Sequence, residues 1–238
     1  MRTVLITGGS RGIGAAMVRL FSKRGYKVAF TYKSSLDAAE RLSEETGALA
    51  ILADNASEKD IEAAVKNVSK KLGNVEILIN NAAVSSFSLL TDLSLDDWRA
   101  MFSVNIDAAF LYSKLTLPLM IRSGFGRIIN VSSMWGLVGS SCEVCYSSTK
   151  AALIGFTKAL AKEVGPSKIT VNAIAPGVID TDMNAALSDE DKAELCDSTP
   201  LMRMGKAEEI AEAAYFLASD SAAFITGDVL NVSGGFVV

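Results

Sequence analysis

The chain has 238 residues, half of them hydrophobic and about a fifth charged, enough for one large α/β domain with a substantial core. Its 23 Lys and Arg against 27 Asp and Glu give a net charge of −4, with no basic surplus to neutralise phosphates, which excludes nonspecific nucleic-acid binding as its main task. It contains no histidine, which excludes Ser-His-Asp and Cys-His centres and any metal site that needs imidazole.

The start, MRTVLITGG, enters an apolar strand at once, without the pattern of a secretory signal. No apolar run is long enough to span a bilayer, so no membrane partner is expected. Cys142, Cys145 and Cys196 are too few for a disulfide scaffold, which points to a reduced, cytoplasmic protein. Strands are predicted at 3–7, 27–32, 48–53, 75–80, 126–132, 168–175 and 227–233, all short and continuously apolar. Helical patterns lie between them at 12–24, 36–46, 57–72, 96–122, 146–164 and 207–218. This alternation predicts an α/β fold, a Rossmann-type doubly wound domain over 1–238 with a seven-stranded parallel sheet and helices on both faces. The largest break is 177–205, which carries Met183, Leu187, Met202 and Met204. It reads either as a substrate lid or as a surface excursion whose methionines pack locally.

TGGSRGIG (7–14) follows the first strand and opens the first helix. Gly8 permits a tight turn, Gly12 a close approach to a pyrophosphate, and Gly14 close helix–sheet packing. Ser10, Arg11 and Ile13 complete a turn whose helix amino terminus offers free N–H groups to phosphates. At the end of the second strand FTYKSS holds Lys33, Ser34 and Ser35 and no acid. With Arg11 these suit a 2′-phosphate and predict NADP(H), the alternative being that Lys33 is an ordinary surface lysine. Asp54, next to Asn55, is placed to accept from the adenine amino group. Asn81, Ala82 and Ala83 end the fourth strand, Pro176 and Gly177 the sixth, and Ile179 and Thr181 follow, with the Thr181 hydroxyl suited to the nicotinamide amide. Joint placement at the carboxyl ends of strands is what a ligand crevice requires.

Tyr146 and Lys150 are four apart on one helix face, so an ammonium there is predicted to favour the phenolate and lower the tyrosine pKa. Ser133, at the end of the fifth strand, can bond a substrate oxygen beside the tyrosine. Asn105, an unfavourable residue inside the 96–122 helix, can hold a water. The group would protonate a carbonyl while a nicotinamide delivers hydride to its carbon. The C-x-x-C of Cys142 and Cys145 is read as incidental, and no metal site is expected.

TGGSRGIG, NNAA, Asn105, Ser133 and the Tyr146/Lys150 pair together resemble the short-chain dehydrogenase/reductase family over essentially the whole chain. The resemblance implies Tyr146 as general acid/base, Lys150 as ribose ligand and tuner of the tyrosine, Ser133 as substrate orienter, and Asn105 as support for a relay water. It also implies a homotetramer or homodimer built partly through 96–122 and 146–164. GVIDTDM, MRMG and FITGDVLNVSGG resemble the 3-oxoacyl-carrier-protein reductases, and so imply a ketone carried on acyl carrier protein. Two basic residues with which those reductases dock the carrier are replaced here by Gly124 and Ser167, with Arg122 and Lys168 close by. SSMWGLVGSSCEV resembles reductases of a 5-aminopentanone group attached to elongation factor P. In that reading Glu143 attracts the ketone's ammonium; in the other it is a helix amino-terminal acid stabilised by the dipole. Trp135 either walls the substrate channel or is core, and Met183 completes the substrate-facing set. A noncatalytic NADP-binding sensor on the same fold is the reading of another class.

Overall fold

The computed structural model describes residues 1–184 and 188–237. Leu187 and the side chain of Met183 lie outside the described residues.

In chain order the first half contains β1 (Thr3–Ile6), α1 (Gly12–Lys23), β2 (Lys27–Tyr32), α2 (Leu36–Thr46), β3 (Leu49–Leu52), α3 (Glu58–Lys71) and β4 (Val75–Asn80). There follow α4 (Leu95–Phe102), α5 (Ala108–Ser123), β5 (Gly126–Val131), α6 (Trp135–Val138), α7 (Val144–Val164) and β6 (Ile169–Pro176). The chain closes with β7 (Ile179–Asp180), α8 (Asp189–Asp197), β8 (Gly205–Lys206), α9 (Ala207–Ala218) and β9 (Val229–Val232). Seven strands form one sheet in the order β3-β2-β1-β4-β5-β6-β9, every neighbouring pair parallel.

The order reverses between β1 and β4, and all carboxyl ends emerge on one edge. That is where a doubly wound sheet opens its crevice. Every residue of β1, β5 and β6 is buried, which explains their unalternating apolar character. One face carries Met17, Val18 and Phe21 of α1 against Ile210, Ala214 and Leu217 of α9. The other carries Ile61 and Val65 of α3, Tyr112 of α5 and Leu160 of α7.

Two features depart from the predicted elements. The helix expected over 96–122 is broken by a π-helical turn at Ser103–Asp107, centred on the buried Asn105. Such widened turns occur where a side chain needs the backbone displaced. The 177–205 connection also has its own structure. Its α8 is opened by a capping box in which Ser188 Oγ accepts from the Asp191 amide and Asp191 accepts from the Ser188 amide. None of its residues is buried. β7 and β8 form a second, two-stranded parallel sheet that closes the connection at its base.

Between β4 and β5 the core is polar. Asn80 Nδ2 donates to Asn130 Oδ1 at 2.8 Å, and Asn130 Nδ2 donates to Thr157 Oγ1 at 2.8 Å. Asn130 is fully buried and joins the sheet to α7, so removing it strands a donor on one side and a hydroxyl on the other. Asn130→Ala is expected to lower the unfolding free energy by about 2–4 kcal/mol, seen as an earlier urea midpoint at unchanged slope.

Candidate active site

The carboxyl edge of the sheet opens into a cleft of about 470 Å³. It is lined by every residue expected to hold the cofactor, from Gly8 through Lys33, Asp54 and Asn81 to Thr181. Ser133, Tyr146 and Lys150 line it as well.

The glycine turn is held by close contacts that leave no room for side chains. A Cβ on Gly14 would stand 2.2 Å from the Gly8 carbonyl oxygen and 2.8 Å from Asn81 Nδ2. One on Gly8, whose φ is +64°, would stand 2.9 Å from Ala82 Cα. Thr7 organises the contact, because its Oγ1 accepts from the amides of both Asn81 and Ala82 at 3.0 Å. Asn81 answers by donating its side-chain amide to the carbonyls of Thr7 and Gly8. The 81–83 segment is thereby clamped to the turn, a role for Thr7 that spacing alone does not reveal. Ala83 carries no positive φ, so it needs no glycine.

Two expected phosphate ligands have partners. Lys33 Nζ lies 2.7 Å from Asp54 Oδ2, and Arg11 Nη1 lies 3.9 Å from Asp182 Oδ2. The first contact, with a hydrogen bond donated by the Ala56 backbone N–H, holds the Asp54 carboxyl below its usual range. Lys33 and Asp54 were expected to act on separate parts of a nucleotide, and the structure joins them. Both pairs are exposed, so they hold little energy against a doubly charged phosphate.

At the reactive end Lys150 is only 2 % exposed and donates to the Val131 carbonyl at 2.8 Å. Its Nζ lies 5.5 Å from the centre of the Tyr146 ring. The expectation that the lysine lowers the tyrosine pKa is not met. Burial pushes the Tyr146 phenol up to about 12, with a hydrogen bond from Ser133 pulling it down and the Glu143 charge adding to the rise. Burial likewise pushes Lys150 down to about 7. Desolvation of both groups outweighs their mutual influence, because neither charged form is solvated beneath the ring.

Asn105 is tied to two neighbouring segments. Its Oδ1 accepts from the Val84 amide at 2.8 Å, and Nδ2 donates to the Val84 carbonyl at 2.9 Å and Thr149 Oγ1 at 3.0 Å. Both amide protons are spent on protein groups, so the side chain fastens the loop after β4 to α7.

Glu143 is the residue that precedes α7, with φ −126° and ψ 33°, and its side chain does not cap the helix. Burial raises its pKa, opposed by a hydrogen bond with Ser140. It stands at the amino terminus of α7, where the dipole acts on it without a capping bond. Trp135 packs with Met101, Cys145 and Tyr146 and meets Phe236 edge-to-face at 5.7 Å. Phe236 was not foreseen, since it lies 101 positions beyond Trp135 (236 − 135) and only the fold brings the two rings together. The three cysteines are free thiols, Cys142 at a positive φ of +59°.

A family profile described as Enoyl-(Acyl carrier protein) reductase matches residues 8–237. The chain belongs to the short-chain dehydrogenase/reductase family. A 3-oxoacyl-(acyl-carrier-protein) reductase of Chlamydia trachomatis is 41% identical over 239 residues, covering 98% of this chain and 96% of that protein. The corresponding Salmonella typhimurium reductase is 40% identical over 236 residues, covering 98% and 96%. Among solved structures, a mutant Serratia marcescens short-chain dehydrogenase/reductase superposes with a TM-score of 0.93 at 37% identity, covering 100% of this chain and 98% of that one. A metagenomic blue fluorescent protein in complex with NADPH superposes with a TM-score of 0.94 at 36% identity, with the same coverage. The seven-stranded parallel sheet is thus the sheet of this family, as its strand order indicates.

The buried amine has a consequence for stability in this short-chain reductase. The unfolded chain keeps its Lys150 proton up to the ordinary value of 10.5, while the folded chain releases it near 7. In that window the unfolded state binds more protons, so Lys150 contributes a stability that rises with pH and is lowest below 7. Tyr146 acts oppositely, costing stability from its ordinary 10.0 upward to about 12. Thermal denaturation between about pH 6 and 9.5 is expected to show a rise that Lys150→Met lacks; equal pH slopes would contradict the buried amine.

Proposed function

We propose that the protein reduces a ketone to an alcohol, with Tyr146 as proton donor and Ser133 and Lys150 as its partners. The chain is an NADP(H)-dependent oxidoreductase acting on CH–OH/C=O groups. The single observation that carries the residue assignment is the convergence of Ser133, Tyr146 and Lys150 on one end of a cleft whose other end is a glycine turn with two cations.

NADPH supplies the hydride when bound. Its phosphates suit the α1 amino terminus, and its 2′-phosphate suits Arg11 and Lys33 once these leave their exposed carboxylates. A phenol with a pKa near 12 stays protonated at neutral pH, which is the form an acid catalyst of reduction needs. Ser133, bonded to Tyr146 and receiving the Trp135 amide at 3.1 Å, orients the carbonyl oxygen between the two hydroxyls. Lys150, held on the Val131 carbonyl, stands behind the phenol to replace its proton. Asn105 is a positioning residue that fixes the wall of this end. The 177–205 connection is read as the lid over it, closed at its base by β7 and β8.

The substrate is read as a 3-oxoacyl thioester carried on acyl carrier protein, supported by relatives about 40% identical over nearly the whole chain. Gly124 ends α5 at φ +65° and carries no docking cation. Arg122 and Lys168 are exposed at the amino ends of β5 and β6. The cleft opens at the opposite ends, about 20 Å away for strands of this length. A carrier docked on them would therefore serve the cleft of a neighbouring subunit, which fits a homodimer or homotetramer. A second reading, an aminoketone attached to elongation factor P, is favoured by one observation. The half-buried Glu143 carboxylate lies within electrostatic reach of Tyr146, where an ammonium would relieve its burial.

Tyr146→Phe is expected to lower kcat on acetoacetyl thioesters at least about 100-fold, measured as NADPH oxidation. Wild-type turnover in that variant would exclude Tyr146 as the acid and leave a nucleotide sensor as the better description. Arg11→Ala with Lys33→Ala should reduce the NADPH-to-NADH preference in kcat/KM by about tenfold or more. Glu143→Gln should selectively slow an aminoketone on elongation factor P if that is the substrate, and leave acetoacetyl thioesters unchanged or faster.

A further inference from the structure

We propose that Tyr112 is a positioning residue for the cofactor: it holds the Asn55 side-chain amide with its N–H donors facing the cleft, where they bind an acceptor atom of the adenine. This rests on the NADP(H) reading above.

Tyr112 lies on α5, is fully buried, and touches no part of the cleft itself. Its hydroxyl donates to Asn55 Oδ1 at 3.3 Å, and Asn55, though only 8 % exposed, lines the cleft. The phenol carries one proton, and Asn55 Oδ1 is the acceptor it reaches. An acceptor must be the amide oxygen, so the Asn55 nitrogen is turned the other way. Among the described residues Nδ2 has no hydrogen-bond partner. A buried phenol on α5 thus holds the amide oxygen, and the pair of N–H groups on its other side has no protein acceptor among the described residues.

Topology says which part of the dinucleotide they meet. Asn55 follows β3, the outermost strand on one side, whereas Ser133 and Tyr146 follow β5, four strands across the sheet. The adenosine half belongs at the β3 end, beside Lys33 and Ser34. Asp54 already gives Oδ1 to the Ala56 amide and Oδ2 to Lys33. Asn55 therefore supplies the free directional donors there, and the ring nitrogens of adenine are acceptors.

The test measures dissociation constants for 2′,5′-ADP, NADPH and reduced nicotinamide mononucleotide, with melting temperatures, in wild type, Tyr112→Phe, Asn55→Val and the double variant. Asn55→Val is expected to weaken 2′,5′-ADP about tenfold and Tyr112→Phe about threefold, with the mononucleotide unaffected by either. In turnover the Tyr112→Phe change should appear in the NADPH KM rather than in kcat. The double variant replaces a buried polar pair with apolar neighbours, so it should regain thermal stability while 2′,5′-ADP binding stays weak. A double variant that binds 2′,5′-ADP as wild type does, or a Tyr112→Phe protein with unaltered affinity, would overturn the proposal. Wild-type protein that binds neither NADPH nor 2′,5′-ADP would instead overturn the NADP(H) reading and this inference with it.

Discussion

The rest of the site depends on burying one lysine. Lys150 has 2 % of its surface accessible, and its Nζ is satisfied in the protein by a single carbonyl, that of Val131. Keeping an amine there requires the first turns of α7 to press directly on the end of β5. Ser132 Oγ donates to the Lys150 carbonyl at 2.9 Å, and a Cβ on Gly136 would stand 2.8 Å from the Lys150 carbonyl carbon. The same turn of α7 presents Thr149 to Asn105, and Asn105 fastens Val84 in turn. One desolvated amine thus sits at the meeting of β5, α6, α7 and the loop after β4. The cost of burying it is offset by packing contributed from all four.

That arrangement gives the two ends of the cleft different physics. At the β5 end the groups are buried, with Tyr146 kept protonated and burial pushing Lys150 down to about 7. At the glycine-turn end the charges are solvent-accessible and paired with carboxylates, Lys33 to Asp54 after β2 and β3 and Arg11 to Asp182 beside the turn. Weakly held surface pairs exchange partners at little cost, which suits a phosphate that must bind and leave. Buried groups with fixed hydrogen bonds hold their geometry, which suits proton transfer.

Much of this was legible in the residues. The seven strands were visible because strands buried on both faces are continuously apolar, and each was bounded by a helical pattern of different period. The glycine turn, Ser133, Tyr146 and Lys150 were legible as types at spacings, and the fold brings all of them to one cleft. What escaped was whatever depends on a partner distant in sequence. Thr7 reads as an ordinary strand-end residue until Asn81 and Ala82 are seen to donate to it. Asn105 was singled out as unfavourable in a helix, correctly, but its π-turn and its bonds to Val84 and Thr149 need three segments together. The helix expected from 146 begins at Val144 and leaves Glu143 just ahead of it, because helix ends cannot be read to a single residue from pattern.

The sequence by itself determined the family, the parallel sheet and which residues the cleft gathers, since these follow from apolar periodicity and from side-chain types at short, fixed separations. Only the tertiary structure decided their electrostatics. A tyrosine four residues from a lysine predicts a lowered phenol pKa if both are in water, and a raised one if both are buried. Burial is the sum of contacts from segments as far apart as Trp98 and Phe236, so no local stretch of sequence contains it.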